Sequence, residues 1–416
     1  MNIRRVVVTG MGTINPCGHN AKETWDNLVN GVSGAAPITR FDASNFKTQF
    51  ACEVKDYDAN KYFDRKELRK HDFYSQFAMI SADEAIADSK LDLENMDRDR
   101  VGVIWGAGIG GLQTFVDEIG SWATGDGQPR FSPFFIPKMI ANIAAGHISI
   151  KYNLRGPNFT TVSACASSTH AIVDAVNYIR LGYADAMVTG GSEAAIDEAG
   201  VGGFNSMKAI STRNDDPKAA SRPFDKDRDG FVMAEGGAAL ILEEYEHAKA
   251  RGANIYAEII GVGLNADAHH MTAPHPEGEG AKKVMMMAMN DAGVKLEDVD
   301  HINTHGTSTG LGDVAEPKAI VATFGEHAYK LKINSTKSMT GHLLGAAGAL
   351  ESMATILALR DQVIPPTINF NELDPEIDPK LQFVFNKAEK ADIKIAMTNN
   401  FGFGGHNATI LFKKAE

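Results

Sequence analysis

Hydrophobic positions along this chain follow two alternating rhythms. Short β-prone runs, as in RRVVVTGMG (4–12), VGVIWGAGIGG (101–111) and IYAEIIGVG (255–263), alternate with longer stretches whose apolar residues recur at helical spacing. Asn158–Ser163 predicts a strand. The following residues, Ala166 to Leu181, predict a helix with Ile172, Val173, Val176 and Ile179 at helical spacing. Near the end, INSTKSMTGHLLGAAGALESMATILALRD predicts a strand, a polar turn and a helix apolar on most sides, hence buried. Strands alternating with helices imply an α/β architecture.

The alternation also repeats. AIADSKLDLENMD (85–97) is echoed by AMNDAGVKLEDVD (288–300), and each echo precedes a short β-like run ending in small residues. Duplication predicts two α/β halves, residues 1–250 and 251–416, packed across a pseudo-twofold with a site at their junction. No Pro/Gly/Ser-rich linker divides them, so one compact body is expected.

Composition narrows the function. The 416 residues are 44% hydrophobic and 23% charged, ordinary for a globular chain with a large core. Cys17, Cys52 and Cys165 are too few and too scattered for a disulfide framework or a zinc cage, which suggests a reducing compartment. The apolar run near the start is too short for a signal-peptide core, and nothing approaches the roughly 20 apolar residues that span a bilayer. A cytoplasmic protein without a membrane segment is expected. A net charge of −12 argues against nucleic acid as a partner. The exception is FDRKELRKHD, where Arg65, Lys66, Arg69 and Lys70 at helical spacing form a cationic spot, either a solvated face or a dock for an acidic partner.

Candidate chemistry centres on TVSACASSTH. Cys165 sits where the strand meets the helix, and a helix N-terminus favours the thiolate, lowering the pKa below the free value of roughly 8.5. Read alone, a cysteine is more often a small buried hydrophobe. Two histidines alter the weighing: His305 in NTHGTSTG and His342 in STKSMTGHLLGAAG. With Cys165 they supply a thiol nucleophile and two imidazole donors for an oxyanion or enolate. Lys337 and Glu351 flank His342 and are suited to a buried pair that orients it. NNFGFGGHN (399–407) is a glycine-rich turn able to present backbone N–H groups to a ligand.

Three patterns are set aside. GAGIGG (106–111) fits a dinucleotide fingerprint but lacks a good helix start and the acid about 20 residues on. DKDRDGFVMAEGG (225–237) starts like a calcium loop but has Gly236 at the twelfth position. His269, His270 and His275 lack the cysteine or spaced acid of a zinc site. No metal and no nucleotide cofactor are expected.

Taken together, ACAS at Cys165, RPFDKDRDGFV, HGTSTGLGD, NSTKSMTGHLLGAAG and FGFGG resemble the β-ketoacyl-acyl carrier protein synthases, most closely the type II condensing enzymes of fatty-acid elongation, over essentially the whole chain. The resemblance implies a thiolase-like fold, with duplicated α/β halves in αβαβα layers, assembled as a homodimer. It implies decarboxylative condensation of a Cys165-bound acyl group with malonyl-acyl carrier protein, without a metal or redox cofactor. By the same resemblance, His305 and His342 assist decarboxylation and Lys337 with Glu351 supports them. The N–H groups of Cys165 and Phe401 form the oxyanion hole, and the Phe401 ring gates the acyl site. The resemblance further implies that Thr307 and Thr309 bind pantetheine, that Ile109, Phe134 and Phe135 lie near the end of the acyl pocket, and that Arg65, Lys66, Arg69, Lys70 and Lys208 receive the acyl carrier protein. Departures are Ser168 where many members have Gly, Asn400 where Ser is usual, and His406 where Thr is common. The related possibilities are a specialised polyketide-type ketosynthase and a non-catalytic carrier-binding partner subunit; the presence of Cys165 argues against the second.

Overall fold

The computed structural model describes residues 3–415. Its principal sheet has eleven strands. In chain order these are β1 (Val6–Ile14), β2 (Val101–Gly106), β3 (Asn158–Thr161), β4 (Ala186–Glu193), β5 (Gly236–Glu244), β6 (Ala257–Ala266), β7 (His301–Asn303), β8 (Lys332–Asn334), β9 (Gln382–Phe383), β10 (Ile395–Gly402) and β11 (His406–Lys414). The spatial order is β9-β8-β7-β10-β11-β6-β1-β5-β4-β2-β3.

Split between β6 and β1, that order reveals a duplication. The first half runs β3-β2-β4-β5-β1 and the second β8-β7-β10-β11-β6, with β9 added at the outer edge. In each half the three outermost strands of this series are parallel and the remaining pairings antiparallel. The halves meet through an antiparallel contact of Val6, Val7 and Val8 with Ile259, Glu258 and Ala257.

Four helices complete the symmetry. Helices α1 (Phe73–Ser89) and α3 (Glu279–Ala292) follow the first strand of each half and cover it, whereas α2 (Ser167–Arg180) and α4 (Ala347–Asp361) follow the third. α2 and α4 pack against each other, and each touches strands of both halves, so they form the middle of five layers. α4 is buried from Ala347 to Leu359, as its all-round apolar pattern predicts. Its residues join those of α2 in the largest core cluster, which includes Ile172, Val176, Leu350, Met353 and Ile356.

The prediction for the cationic segment needs correction. Arg65–Leu68 is a single helical turn capped by Asp64, and Arg69 already ends it. Asp72 then caps the separate helix α1, so the chain changes direction before Lys70 can share a helix face with Arg65 and Lys66. All four cations remain exposed.

Candidate active site

The two middle helices begin alike. Before α2 comes a tight turn over Ala164–Ala166; before α4 comes the same turn over Leu344–Ala346. Each opens on a non-glycine residue in left-handed backbone, Ala164 and Leu344, both at φ +50°. Such backbone is costly away from glycine and is held only where the surroundings enforce it. The two sharp elbows face each other at the junction of the halves. The first carries Cys165 at its centre; the second carries Gly345.

His342 lies just ahead of the second elbow, its backbone bonded to Val232 and its ring against Phe231. Its Nε2 is 3.0 Å from the Cys165 sulfur. The His305 ring stands 5.4 Å from that of His342, nearly perpendicular, and 5.7 Å from the ring of Phe401. Thus three residues far apart in sequence come together around one sulfur. Lys337 and Glu351, only 1% and 3% exposed, form a buried ion pair. The second Glu351 oxygen accepts from Asn400 Nδ2 at 2.6 Å, and Thr169 Oγ1 donates to Asn400 Oδ1 at 2.6 Å.

Electrostatics overturn one expectation. Burial pushes the Cys165 thiol up to about 12, outweighing the lowering by Lys337 and by a hydrogen bond from Phe403 N–H. Desolvation outweighs the helix terminus, so the resting group is a thiol. Burial, seconded by the Lys337 charge, holds His305 and His342 well below the ordinary imidazole value. Both rings are therefore neutral, each with one N–H to donate and one nitrogen to accept.

A cavity of about 630 Å³ opens from this cluster, lined among others by Cys165, His305, His342, Phe401, Thr307 and Thr309. The two threonine hydroxyls lie 3.0 Å apart. Their loop is fixed from behind by the segment that resembled a calcium site. Arg228 donates to the carbonyls of Thr309 and Gly310 at 3.0 and 2.8 Å. Asp225 accepts from Arg222 and from three backbone N–H groups, and it is thereby satisfied as a hydrogen-bonded brace.

Not every expected residue reaches the cavity. Ile109 and Lys208 line it; Phe134, Phe135, Arg65, Lys66, Arg69 and Lys70 do not. Phe135 packs instead against Phe115 and Phe131 in a half-exposed aromatic group beside the short helix Phe135–Met139. The backbone N–H of Phe403, two residues beyond Phe401, lowers the pKa of the sulfur. FGF presents two equivalent phenylalanines, and only the path of the turn tells them apart.

Sequence reasoning also missed two buried acids in the cavity wall. Glu316 accepts from the backbone N–H of His305 and Gly306, both at 2.9 Å, and burial pushes it up to about 7. Glu193 terminates β4. The available signal was a carboxylate ending a strand of small and apolar residues, AMVTGGSE.

Duplicated layers with a cysteine and two histidines at their junction define a thiolase-like condensing enzyme. Within that class the chain belongs to the β-ketoacyl synthase family, whose N-terminal domain matches residues 3–248 and whose C-terminal domain matches residues 256–371. It is 50% identical over 414 residues to the 3-oxoacyl-[acyl-carrier-protein] synthase 2 of Coxiella burnetii, covering 100% of this chain and 99% of that protein. The protein of the same name from Synechocystis sp. is 49% identical, with 99% and 98% covered. Among solved structures, a β-ketoacyl synthase from Burkholderia phymatum superimposes with a TM-score of 0.92 at 35% identity, over 99% of this chain and 100% of the other. A type II polyketide ketosynthase bound to its acyl-carrier protein gives 0.90 at 34% identity, covering 100% of both chains.

Proposed function

We propose that this chain extends fatty acyl groups by two carbons, condensing an acyl thioester with malonyl-acyl carrier protein to give a 3-oxoacyl-acyl carrier protein. The observation that carries the reading is the 3.0 Å contact of His342 Nε2 with the Cys165 sulfur beside a second neutral histidine. As the thiol attacks the acyl thioester, His342 accepts its proton, and the carrier's thiol leaves with a proton. Transfer is concerted with bond formation, because a thiol titrating at about 12 holds little thiolate at rest. N–H groups of Cys165 and Phe403 are suited to receive the tetrahedral oxyanion. In the second half-reaction the malonyl thioester loses CO₂, and the enolate oxygen is stabilised by the N–H of His305 and by that of His342 once its neutral ring carries the proton on Nε2. The enolate carbon then attacks the Cys165 thioester, and the departing sulfur takes a proton from water, restoring the thiol. Lys337 keeps both rings neutral, Glu351 balances its charge, and Asn400 donates to the second Glu351 oxygen. No metal or redox cofactor enters this scheme.

Thr307 and Thr309 are read as holding the pantetheine arm, and Phe401 as the gate. Arg65, Lys66, Arg69, Lys70 and Lys208 are read as the rim that receives the acidic carrier protein. Ile109, with Phe134 and Phe135 at a homodimer interface, is read as the far end of the acyl site. The domain matches support the division into 1–250 and 251–416. Three free, buried cysteines support a cytoplasmic setting, and no helix among the described residues is long and apolar enough to cross a membrane. Identities of 49–50% to the 3-oxoacyl synthases, against 34% to the polyketide ketosynthase, favour fatty-acid over polyketide use.

The test is the intact mass of the protein after incubation with an acyl-acyl carrier protein, with Cys165→Ala alongside. An acyl adduct on the wild type alone is expected. Absence of an adduct on the wild type, or equal adducts on both proteins, would overturn the assignment.

A further inference from the structure

Glu193 is fully buried at the end of β4, and its hydrogen-bond donors among the described residues are backbone N–H groups. One oxygen, Oε2, accepts from Gly108 N–H at 2.8 Å and Gly345 N–H at 3.0 Å. The other, Oε1, accepts from the N–H groups of Ile109 and Gly110, both at 3.1 Å. Three consecutive amides of the GAGIGG loop therefore converge on one carboxylate, as amides of such a loop do on a phosphate. The internal anion takes the amides that a nucleotide phosphate would need.

The fourth amide comes from the other half of the molecule, at the centre of the second elbow. A methyl group on Gly345 would lie 2.2 Å from Gly108 N and 2.6 Å from Glu193 Oε2. The loop, the elbow and the carboxylate are thus in mutual contact. Glu193 and Ile109 line the same cavity as Cys165. With glycine at 106, 108, 110 and 111, few side chains anchor this loop; the carboxylate takes their place.

We propose that Glu193 is the positioning residue for acyl-chain length: by clamping the 108–110 backbone it holds Ile109 in a fixed place along the acyl channel. This rests on the reading of Cys165 as the acyl-carrying nucleophile. An acetyl group on the sulfur ends close to it, whereas a dodecanoyl chain has to run past the loop. A preorganised loop costs the long chain no ordering entropy; a loosened one does. Burial pushes Glu193 up to about 6 while its four amide donors pull it down, so the clamp is an ionised carboxylate at neutral pH.

Glu193→Gln tests the idea. An amide retains one accepting oxygen and turns an NH₂ group towards two backbone N–H donors, so one pair of clamp bonds is lost. Rates of acyl loading onto Cys165 are measured by intact mass with acetyl- and dodecanoyl-carrier protein, in the wild-type and Ile109→Gly backgrounds. The dodecanoyl-to-acetyl ratio is expected to fall about tenfold in E193Q, the factor set by the net worth of the lost pair of hydrogen bonds. In the I109G background the same substitution is expected to change the ratio by about twofold or less, because the positioned side chain is gone. An unchanged ratio, with both substrates slowed alike, would reduce Glu193 to a structural brace. An equal shift in both backgrounds would show that it does not act through Ile109. Should E193Q fail to fold, Glu193→Asp, which keeps the charge but shortens its reach, is read in the same way; failure of both to fold would assign Glu193 to the fold alone. If the wild type loads neither acyl group, the parent reading fails, and that outcome is distinct from all of these.

Discussion

Replacing Lys337 by Met removes a cation whose partner cannot reach water. Glu351 is buried, and among the described residues its other side-chain donor is Asn400 at 2.6 Å. Breaking a buried pair while one charge remains costs about 3–5 kcal/mol. The loss has a pH signature with a definite sign. Burial already raises Glu351 in the wild type, with Lys337 the first influence opposing it, so K337M raises it further. An acid whose folded pKa exceeds its unfolded value imposes no penalty below the unfolded pKa and the full penalty above the folded one. The stability deficit of K337M is therefore greatest at pH 8 and narrows as pH falls, by up to about 1.4 kcal/mol per unit through the folded pKa. Denaturant unfolding of both proteins at pH 6, 7 and 8 measures it, with K337M/E351L as control. The double variant should recover much of the loss, since no charge is left unpaired. A deficit under about 1 kcal/mol at pH 8, or one independent of pH, would refute the argument that Glu351 depends on Lys337 for its charge.

Two other outcomes follow from the same geometry. Because burial and Lys337 both depress His305 and His342, malonyl decarboxylation by the wild type should hold steady down to pH 6, whereas its acid limb should move to higher pH in K337M; coincident profiles would contradict a role for Lys337 in keeping the rings neutral. Gly345→Ala should destabilise the protein by about 1–3 kcal/mol in denaturant melts, the usual cost of overpacking, because its methyl group meets backbone at 2.2 Å.

Much of the architecture was legible because period and repetition survive in the sequence. The echo of 85–97 in 288–300 marks the two helix-to-strand passages that lead into β2 and β7, and the all-round apolar run of α4 marks the middle layer. Cys165, His305 and His342 were legible through the company they keep. What the sequence hid depends on neighbours from afar. The thiol's direction of shift was misjudged because a helix terminus is local, whereas desolvation comes from packing by both halves. Phe403 was missed because the donor is chosen by the path of a turn. Glu193 was missed because all four of its partners are main-chain amides, which carry no mark in the amino-acid code. The helix expected to gather Arg65 and Lys70 was too long because Asp72, an N-cap, claims the chain for α1 first.

The paired elbows have a final consequence. Residues 165 and 345 occupy matching places in the two halves, yet the room around them differs: the first opens into the cavity, and the second is filled to van der Waals contact by the 108–110 loop. A nucleophile cannot be carried at both places at once, because the ground taken by the second would be the wall that shapes the channel for the first. The gene-like doubling of the fold thus yields a molecule with one reactive pole and one supporting pole. Steric exclusion, rather than the loss of a side chain alone, keeps that polarity from being reversed by a single substitution.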